Sequence, residues 1–278
     1  MIRFSLIAAL AFLSVFTFQG CGNSDTASKG ELTAADTASA AQADITDELP
    51  SPQEMAGLIK ESGAKYNPAL TNDISNISKY ATSSAKAINL GVYCSDVGYT
   101  TLFKQTQETM FYLNNCRKLS DDIGLSNAFD KTVFDRVEAN IDIRDSLLDI
   151  ISETYSTANT YLRANNRYGT FMLMMAGGWI ESMHLACNMA LDKNANAEIA
   201  VRVSEQEGAL DKIIKSMEAF KGEDAVNDLL AKLTQIKSVL ASGKIATKAD
   251  DGKITVDYAR LKKVAGKISE VRNGIIGE

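Results

Sequence analysis

The distribution of proline constrains this chain more than any other feature of its sequence. All three prolines, Pro50, Pro52 and Pro68, precede residue 69, so residues 69–278 contain none. Proline reliably breaks helices because it lacks a backbone N–H and its ring clashes with the preceding turn. Its absence over so long a stretch permits long helices, and the spacing of the apolar residues indicates that they form.

Apolar residues recur at helical spacing along most of this stretch. The pattern is clearest at Tyr99, Leu102, Phe103, Thr106, Met110 and Leu113. It predicts a helix over about 72–118, either continuous or broken near Tyr80 or Gly98. Similar spacing predicts amphipathic helices around residues 129–137 and 147–162, and a helical hairpin that turns at Gly222-Glu223. Ser51-Pro52 predicts a short helix that ends before Gly63.

A strand pattern precedes the last predicted helix. Ile245 and Thr247, then Ile254 and Val256, flank Asp251-Gly252, a pair suited to a tight hairpin turn. A lone hairpin is marginally stable, so we expect it to pack on the helices. Asp257 then predicts the N-cap of a C-terminal helix. The sequence therefore predicts an all-α fold, a multi-helix bundle with a small β-hairpin before the C-terminal helix.

The segment 171–191 is apolar on nearly every face, which predicts a buried helix. A membrane span is the competing interpretation, but uninterrupted apolar character lasts only over 171–180, about the length of a core helix. Ala176-Gly177-Gly178 would let another backbone approach closely, as would Gly91 and Gly98 in the earlier helix. We expect these two helices to be central and packed against each other.

The first residues of the sequence predict a signal peptide. Arg3 precedes an uncharged, mostly apolar run over 4–18, which is too short for a membrane-spanning helix. The run ends at Phe18-Gln19-Gly20-Cys21, which resembles the lipobox of bacterial lipoproteins. Gly20 and Cys21 match that motif, whereas Phe18 and Gln19 depart from its usual residues. The resemblance implies cleavage after residue 20 and lipidation of Cys21, with an ordinary secretory signal as the alternative. The residue after the cysteine is Gly22 rather than the aspartate that resembles an inner-membrane retention signal. Delivery to the outer membrane is therefore favoured, on its periplasmic or its surface face.

Charge and composition divide the rest of the chain. Residues 22–50 contain six acidic side chains against one lysine and no aromatic residue, so they cannot order themselves by burial. We therefore predict a signal peptide over 1–20, a lipidated cysteine and disordered acidic tether over 21–50, and a single helical domain over 51–278. Loss of Arg3 with the signal peptide would change the net charge from −6 to −7. That balance argues against nucleic acid as a partner.

Three polar residues within apolar surroundings are the candidate site residues. Glu181 and His184 form a Glu-x-x-His step, the spacing by which helical bundles hold paired metal ions. A full centre of that kind needs two such steps, and His184 is the single histidine of the sequence. Asp96 belongs to the other central helix. We expect Asp96, Glu181 and His184 to form one buried polar cluster, because unpaired burial costs several kcal/mol. One metal ion held by the three is the alternative.

The remaining patterns indicate no cofactor. No Cys-x-x-Cys-His haem motif is present, and Gly177-Gly178 does not follow a predicted strand as a phosphate loop would. Cys94 and Cys116 would lie about 33 Å apart on one continuous helix, so we expect no bond between them unless the helix folds back near Gly98. The sequence favours Cys94, Cys116 and Cys187 as small buried hydrophobic residues, with a bridge from Cys94 to Cys187 as the alternative.

Two short motifs carry a family resemblance. Asn89-Leu90-Gly91-Val92-Tyr93 followed by Asp96, and Ala176-Gly177-Gly178-Trp179-Ile180-Glu181, resemble segments of all-helical lipoproteins from Gram-negative envelopes, over roughly residues 50–240. That group has no established activity, so the resemblance implies a fold and a location alone.

Two classes of function fit these observations. The first is a non-catalytic, lipid-anchored envelope protein that binds another envelope protein, a glycan or a small apolar ligand, or that serves structurally. The second is a hydrolase or metal-dependent enzyme that uses Asp96 and Glu181 with His184. The enzyme would need a polar cavity between the two glycine-bearing helices, so the shape of that region discriminates between the classes.

Overall fold

The computed structural model describes residues 63–127, 131–141, 143–192 and 197–277. Within them the chain forms a helical bundle with a two-stranded antiparallel hairpin before its last helix, as the sequence predicts. Two 3-10 helices, Pro68–Leu70 and Ile74–Lys79, come first. The later elements are α1 Ser83–Leu102, α2 Thr106–Asp122, α3 Lys131–Ala139, α4 Arg144–Ala164, α5 Tyr168–Leu191, α6 Glu198–Glu205, α7 Glu207–Glu218, α8 Asp224–Leu240, β1 Ala246–Lys248, β2 Ile254–Val256 and α9 Tyr258–Ile276. The short helix predicted after Ser51 lies outside the described residues.

Helix α5 forms the centre of the bundle. It packs against α1, α4, α6, α7, α8 and α9. Phe171, Met172 and Ile180 are fully buried, and nearly every other residue of the helix is buried with them. The predicted core helix is therefore confirmed. None of the helices that the structure describes is both long and apolar enough to cross a bilayer.

Helices α1 and α5 approach each other closely enough that their backbones touch. A Cβ atom on Gly91 would lie 1.9 Å from the carbonyl oxygen of Met174, and one on Gly177 would lie 2.1 Å from that of Ile88. Glycine is required at both positions because no side-chain atom fits there. The predicted pairing of the two central helices is confirmed. The prediction that Gly98 also allows another backbone to approach closely is wrong. A Cβ on Gly98 would meet nothing within 4 Å.

The predicted continuous helix over 72–118 is wrong, because the chain reverses direction after Leu102. Lys104 adopts a left-handed conformation with φ of 56°. Its N–H donates to Thr101 O at 3.1 Å, and Gln105 N–H donates to Thr100 O at 2.9 Å. These two bonds are those of a Schellman helix ending. The same pattern ends α2 at Gly124 and α4 at Asn166, where glycine and asparagine favour it. A lysine gives no such signal, which explains the wrong prediction.

Residues 66–80 form a strap across α1 and α2 rather than the start of a helix. Asp73 caps the second 3-10 helix by accepting from Ser75 N at 2.8 Å. Tyrosines then fasten the strap to the helices: Tyr93 donates to Asp73 O at 2.9 Å and Tyr112 to Thr71 Oγ1 at 2.7 Å. Helix α1 begins only after Thr82, so the predicted break near Tyr80 is confirmed, and a second break follows Leu102, four residues after the alternative at Gly98.

The hairpin and the last helix form where the sequence predicts them. Strand β1 pairs with β2 in the register Thr247 to Thr255, and Gly252 takes a φ of 81° in the turn. Ser204 on α6 accepts from the backbone N–H groups at the start of the hairpin, at 3.0 and 2.9 Å. This contact supplies the support that a lone hairpin lacks. Asp257 caps α9 by accepting from Arg260 N at 3.0 Å.

Candidate functional site

The structure brings Asp96 and Glu181 together where α1 crosses α5. Both carboxyl groups are fully buried. The sequence places them on the two central helices, and the backbone contact at Gly91 and Gly177 sets the helices close enough for the groups to interact. Two carboxylates buried away from solvent are costly unless positive charge or a proton offsets them.

Arg272 on α9 supplies the positive charge. Its Nε donates to Glu181 Oε2 at 2.7 Å and its Nη2 donates to Glu181 Oε1 at 2.9 Å. This two-pronged arrangement matches the planar guanidinium to the carboxylate and is the strong form of such a pair. Nη2 also donates to the carbonyl oxygen of Leu70 at 3.2 Å, so the arginine joins three separate parts of the chain.

Arg272 is a site residue that sequence reasoning missed. The inward apolar positions of α9 include Val264 and Ile268, and Arg272 continues that series one helical turn later. A charged residue on a buried stripe is a signal of a buried partner. The sequence thus contained a clue that an internal cation was needed, although it did not identify Glu181 as the partner.

Arg272 balances one of the two carboxylates, and a proton on Asp96 neutralises the other. Burial, and next the charge of Glu181, raise the pKa of Asp96 well above its ordinary value, although Arg272 acts in the opposite direction. The backbone N–H of Asn72 donates to Oδ2 at 3.2 Å, while no donor among the described residues reaches Oδ1. A protonated Asp96 can instead donate to the Glu181 carboxylate. The pair then carries a single negative charge, which Arg272 balances.

His184 lies one turn along α5 from Glu181 as a neutral ring, with its own partners on α5 and α9. Its Nδ1 lies 3.1 Å from Ser269 Oγ on α9 and 3.4 Å from Asn188 Nδ2, one turn along α5. Burial, and next the charge of Arg272, lower the pKa of His184 from its ordinary 6.5 to about 4. The ring is therefore uncharged at neutral pH and adds no charge to be balanced.

The strap also lies against the centre, through Asn72 at Asp96 and Leu70 at Arg272. Asn72 is fully buried, and its side chain donates to Tyr80 OH at 2.9 Å. Asn76 in turn donates to Asn72 Oδ1 at 2.8 Å. These asparagines were not among the predicted site residues, because the sequence indicated a helix there. Their buried amides continue the hydrogen-bonded network outward from Asp96.

The burial of Asp96 and Glu181 limits the chemistry that they can perform. A reacting group must reach substrate, and the side chains of Asp96 and Glu181 expose no surface to solvent. The enzyme interpretation needs space between the glycine-bearing helices, yet the backbones are in contact at Gly91 and Gly177. Among the residues that the structure describes, no group of three or more histidine, cysteine, aspartate or glutamate side chains is arranged to hold a metal ion. The arrangement is that of a closed, charge-balanced core.

The other predicted site residue, Cys21, lies outside the described residues. Comparison with protein-family models, with curated proteins and with solved structures finds no match to this chain.

Proposed function

We propose that this protein is a lipid-anchored module of the cell envelope whose helical domain acts without catalysis, as a binding or structural unit. One observation carries the non-catalytic part. The two carboxyl groups that an enzyme would use, those of Asp96 and Glu181, are buried and balanced by Arg272, and His184 is buried one turn away on α5. A cluster of that kind stabilises one arrangement of α1, α5 and α9, and offers no surface to a substrate.

The anchor rests on the sequence around Cys21. A lipid there would attach the chain to a membrane, and the acidic segment over 22–50 would separate the membrane from the helical domain. At roughly 5–6 Å times the square root of its length, a flexible segment of that size extends about 30 Å on average. The domain could then meet a protein, a glycan or a small apolar ligand near the membrane while remaining tethered.

Metabolic labelling with a fatty-acid analogue tests the anchor. We expect the full chain to become labelled in a Gram-negative host and Cys21→Ala to remain unlabelled and leave the membrane fraction. Cys94→Ser is the matched control, since it removes a half-buried thiol of the helical domain and should leave labelling unchanged. Label on Cys21→Ala, or no label on the unaltered chain, would show that the anchor is not at this cysteine.

A further inference from the structure

Two cysteines that are distant in sequence face each other across α1 and α2. The Sγ atoms of Cys94 and Cys116 lie 3.6 Å apart. The expected separation of about 33 Å is wrong, because the reversal at Lys104 folds α2 back along α1. A disulfide bond is about 2.05 Å long, so the sulfurs need to approach each other by roughly 1.5 Å. Torsion about the side-chain bonds of the two cysteines can supply a movement of that size.

The surroundings leave room for that movement. A cavity of about 40 Å³ lies beside the two sulfurs and continues toward α3 and α4. Apolar side chains form most of its wall, with both cysteines among them. Close-packed interiors resist even small shifts, whereas a void permits side chains to change rotamer without moving the backbone. The thiol pair is therefore placed where a new bond can form locally.

The two thiols differ in access. Cys94 is half-buried, whereas Cys116 is 3% exposed. Burial, and next the hydrogen bond with Cys94, raise the pKa of the Cys116 thiol well above its ordinary value. A reagent from solvent therefore meets Cys94 first. Cys116 is the thiol that can reach the resulting adduct from inside the fold.

We infer that Cys94 and Cys116 are a disulfide-forming pair that exchanges with a small-molecule disulfide and links α1 to α2. The Cys94 thiolate attacks one sulfur of the oxidant, forming a mixed disulfide and releasing one thiolate. Cys116 then loses its proton to solvent, and its thiolate attacks Cys94 Sγ. That step breaks the mixed disulfide and releases the second thiolate. The protein loses two electrons and two protons, and the oxidant becomes two thiols.

The inference does not depend on the proposed envelope location, because the oxidant is supplied in the experiment. The full chain is reduced, desalted and treated with oxidised glutathione without denaturant, then alkylated and digested with trypsin. Cleavage after Lys86, Lys104 and Arg117 separates the two cysteines into peptides 87–104 and 105–117. We expect these peptides to be joined before reduction and separate after it. We also expect the linked chain to melt on the order of 10 °C higher than the reduced chain.

Three variants make the result specific. Cys94→Ser and Cys116→Ser should each abolish the linked peptides, and Cys116→Ser should stop at a mixed disulfide on Cys94. Cys187→Ser is the matched control, because it removes a buried thiol on α5 and should leave the link intact. A link from Cys94 to Cys187, a wild-type chain that stops at the mixed disulfide, or a chain that glutathione leaves fully reduced would each overturn the inference.

Discussion

The centre of the bundle and its α3–α4 edge each contain an arginine–glutamate pair with the same 2.7 Å separation. At the centre, the side chains of Arg272 and Glu181 are 6% and 0% exposed. At the edge, those of Arg136 and Glu153 are 48% and 60% exposed. Water already solvates the edge pair, so this salt bridge changes the free energy of unfolding little. The central charges are buried away from solvent, so each depends on the other to offset its lost hydration, and removing one leaves the other buried without a counter-charge.

The largest expected loss of stability comes from the backbone contact between α1 and α5. Gly91→Val introduces a Cβ that would lie 1.9 Å from the carbonyl oxygen of Met174, so α1 and α5 must separate. We expect the free energy of unfolding to fall by more than about 4 kcal/mol, measured by urea denaturation.

Gly98→Ala is the control on the same helix. Its Cβ meets nothing within 4 Å, so the change should stabilise α1 by about 0.5–1 kcal/mol through helix propensity. Equal losses in both variants would show that the effect of Gly91→Val comes from the helix backbone rather than from the α1–α5 contact.

Removal of one central charge is expected to have the next largest effect. Glu181→Ala leaves the Arg272 guanidinium buried without its carboxylate, which should cost about 3–5 kcal/mol of unfolding free energy. Glu181→Gln keeps the shape and one acceptor, so it should lose less. Arg136→Ala removes the corresponding charge at the edge and should leave the unfolding midpoint unchanged within error. A loss below about 1 kcal/mol for Glu181→Ala would contradict the closed centre and direct attention to a bound ligand there.

The smallest expected effect is on how stability depends on pH. His184 and Asp96 contribute to this dependence with opposite signs. Below pH 6.5 an unfolded His184 binds a proton, but the folded one does so only near its pKa of about 4, so acid removes stability. Asp96 has the opposite sign. Its raised pKa means that the folded chain holds a proton that the unfolded chain has released, so stability falls as the pH rises above 3.8.

Two variants separate these contributions when unfolding is measured at about pH 4.5 and about pH 7. Relative to His184→Gln, the wild type should gain up to about 2.5 kcal/mol as the pH rises through this window. Relative to Asp96→Asn, it should lose stability over the same window, because the amide imitates the protonated carboxyl group. If the unfolding free energies of the wild type and both variants changed equally between the two pH values, the fold would shift the pKa of neither group.

Some of the candidate site was predictable from local patterns. The apolar character around Glu181 and His184 indicated that both are buried, since polar groups in an apolar helix must find partners. Glycines opposite one another indicated that α1 and α5 meet, and this placed Asp96 near Glu181. The strap was not predictable in this way, because the spacing of apolar residues over 72–80 also fits a helix. Its true path depends on tyrosines of α1 and α2 that bind its backbone and side chains.

The sequence by itself determined most of the helices, the hairpin and the burial of α5, because each follows from side-chain spacing within a few turns. The tertiary structure decided which faces meet. Arg272 pairs with Glu181 across 91 positions, and Cys94 reaches Cys116 only because the chain reverses at Lys104. Periodicity specifies that a face is buried, whereas its partner depends on how the whole chain packs. Distant contacts of this kind therefore lie beyond what local patterns of residues can specify.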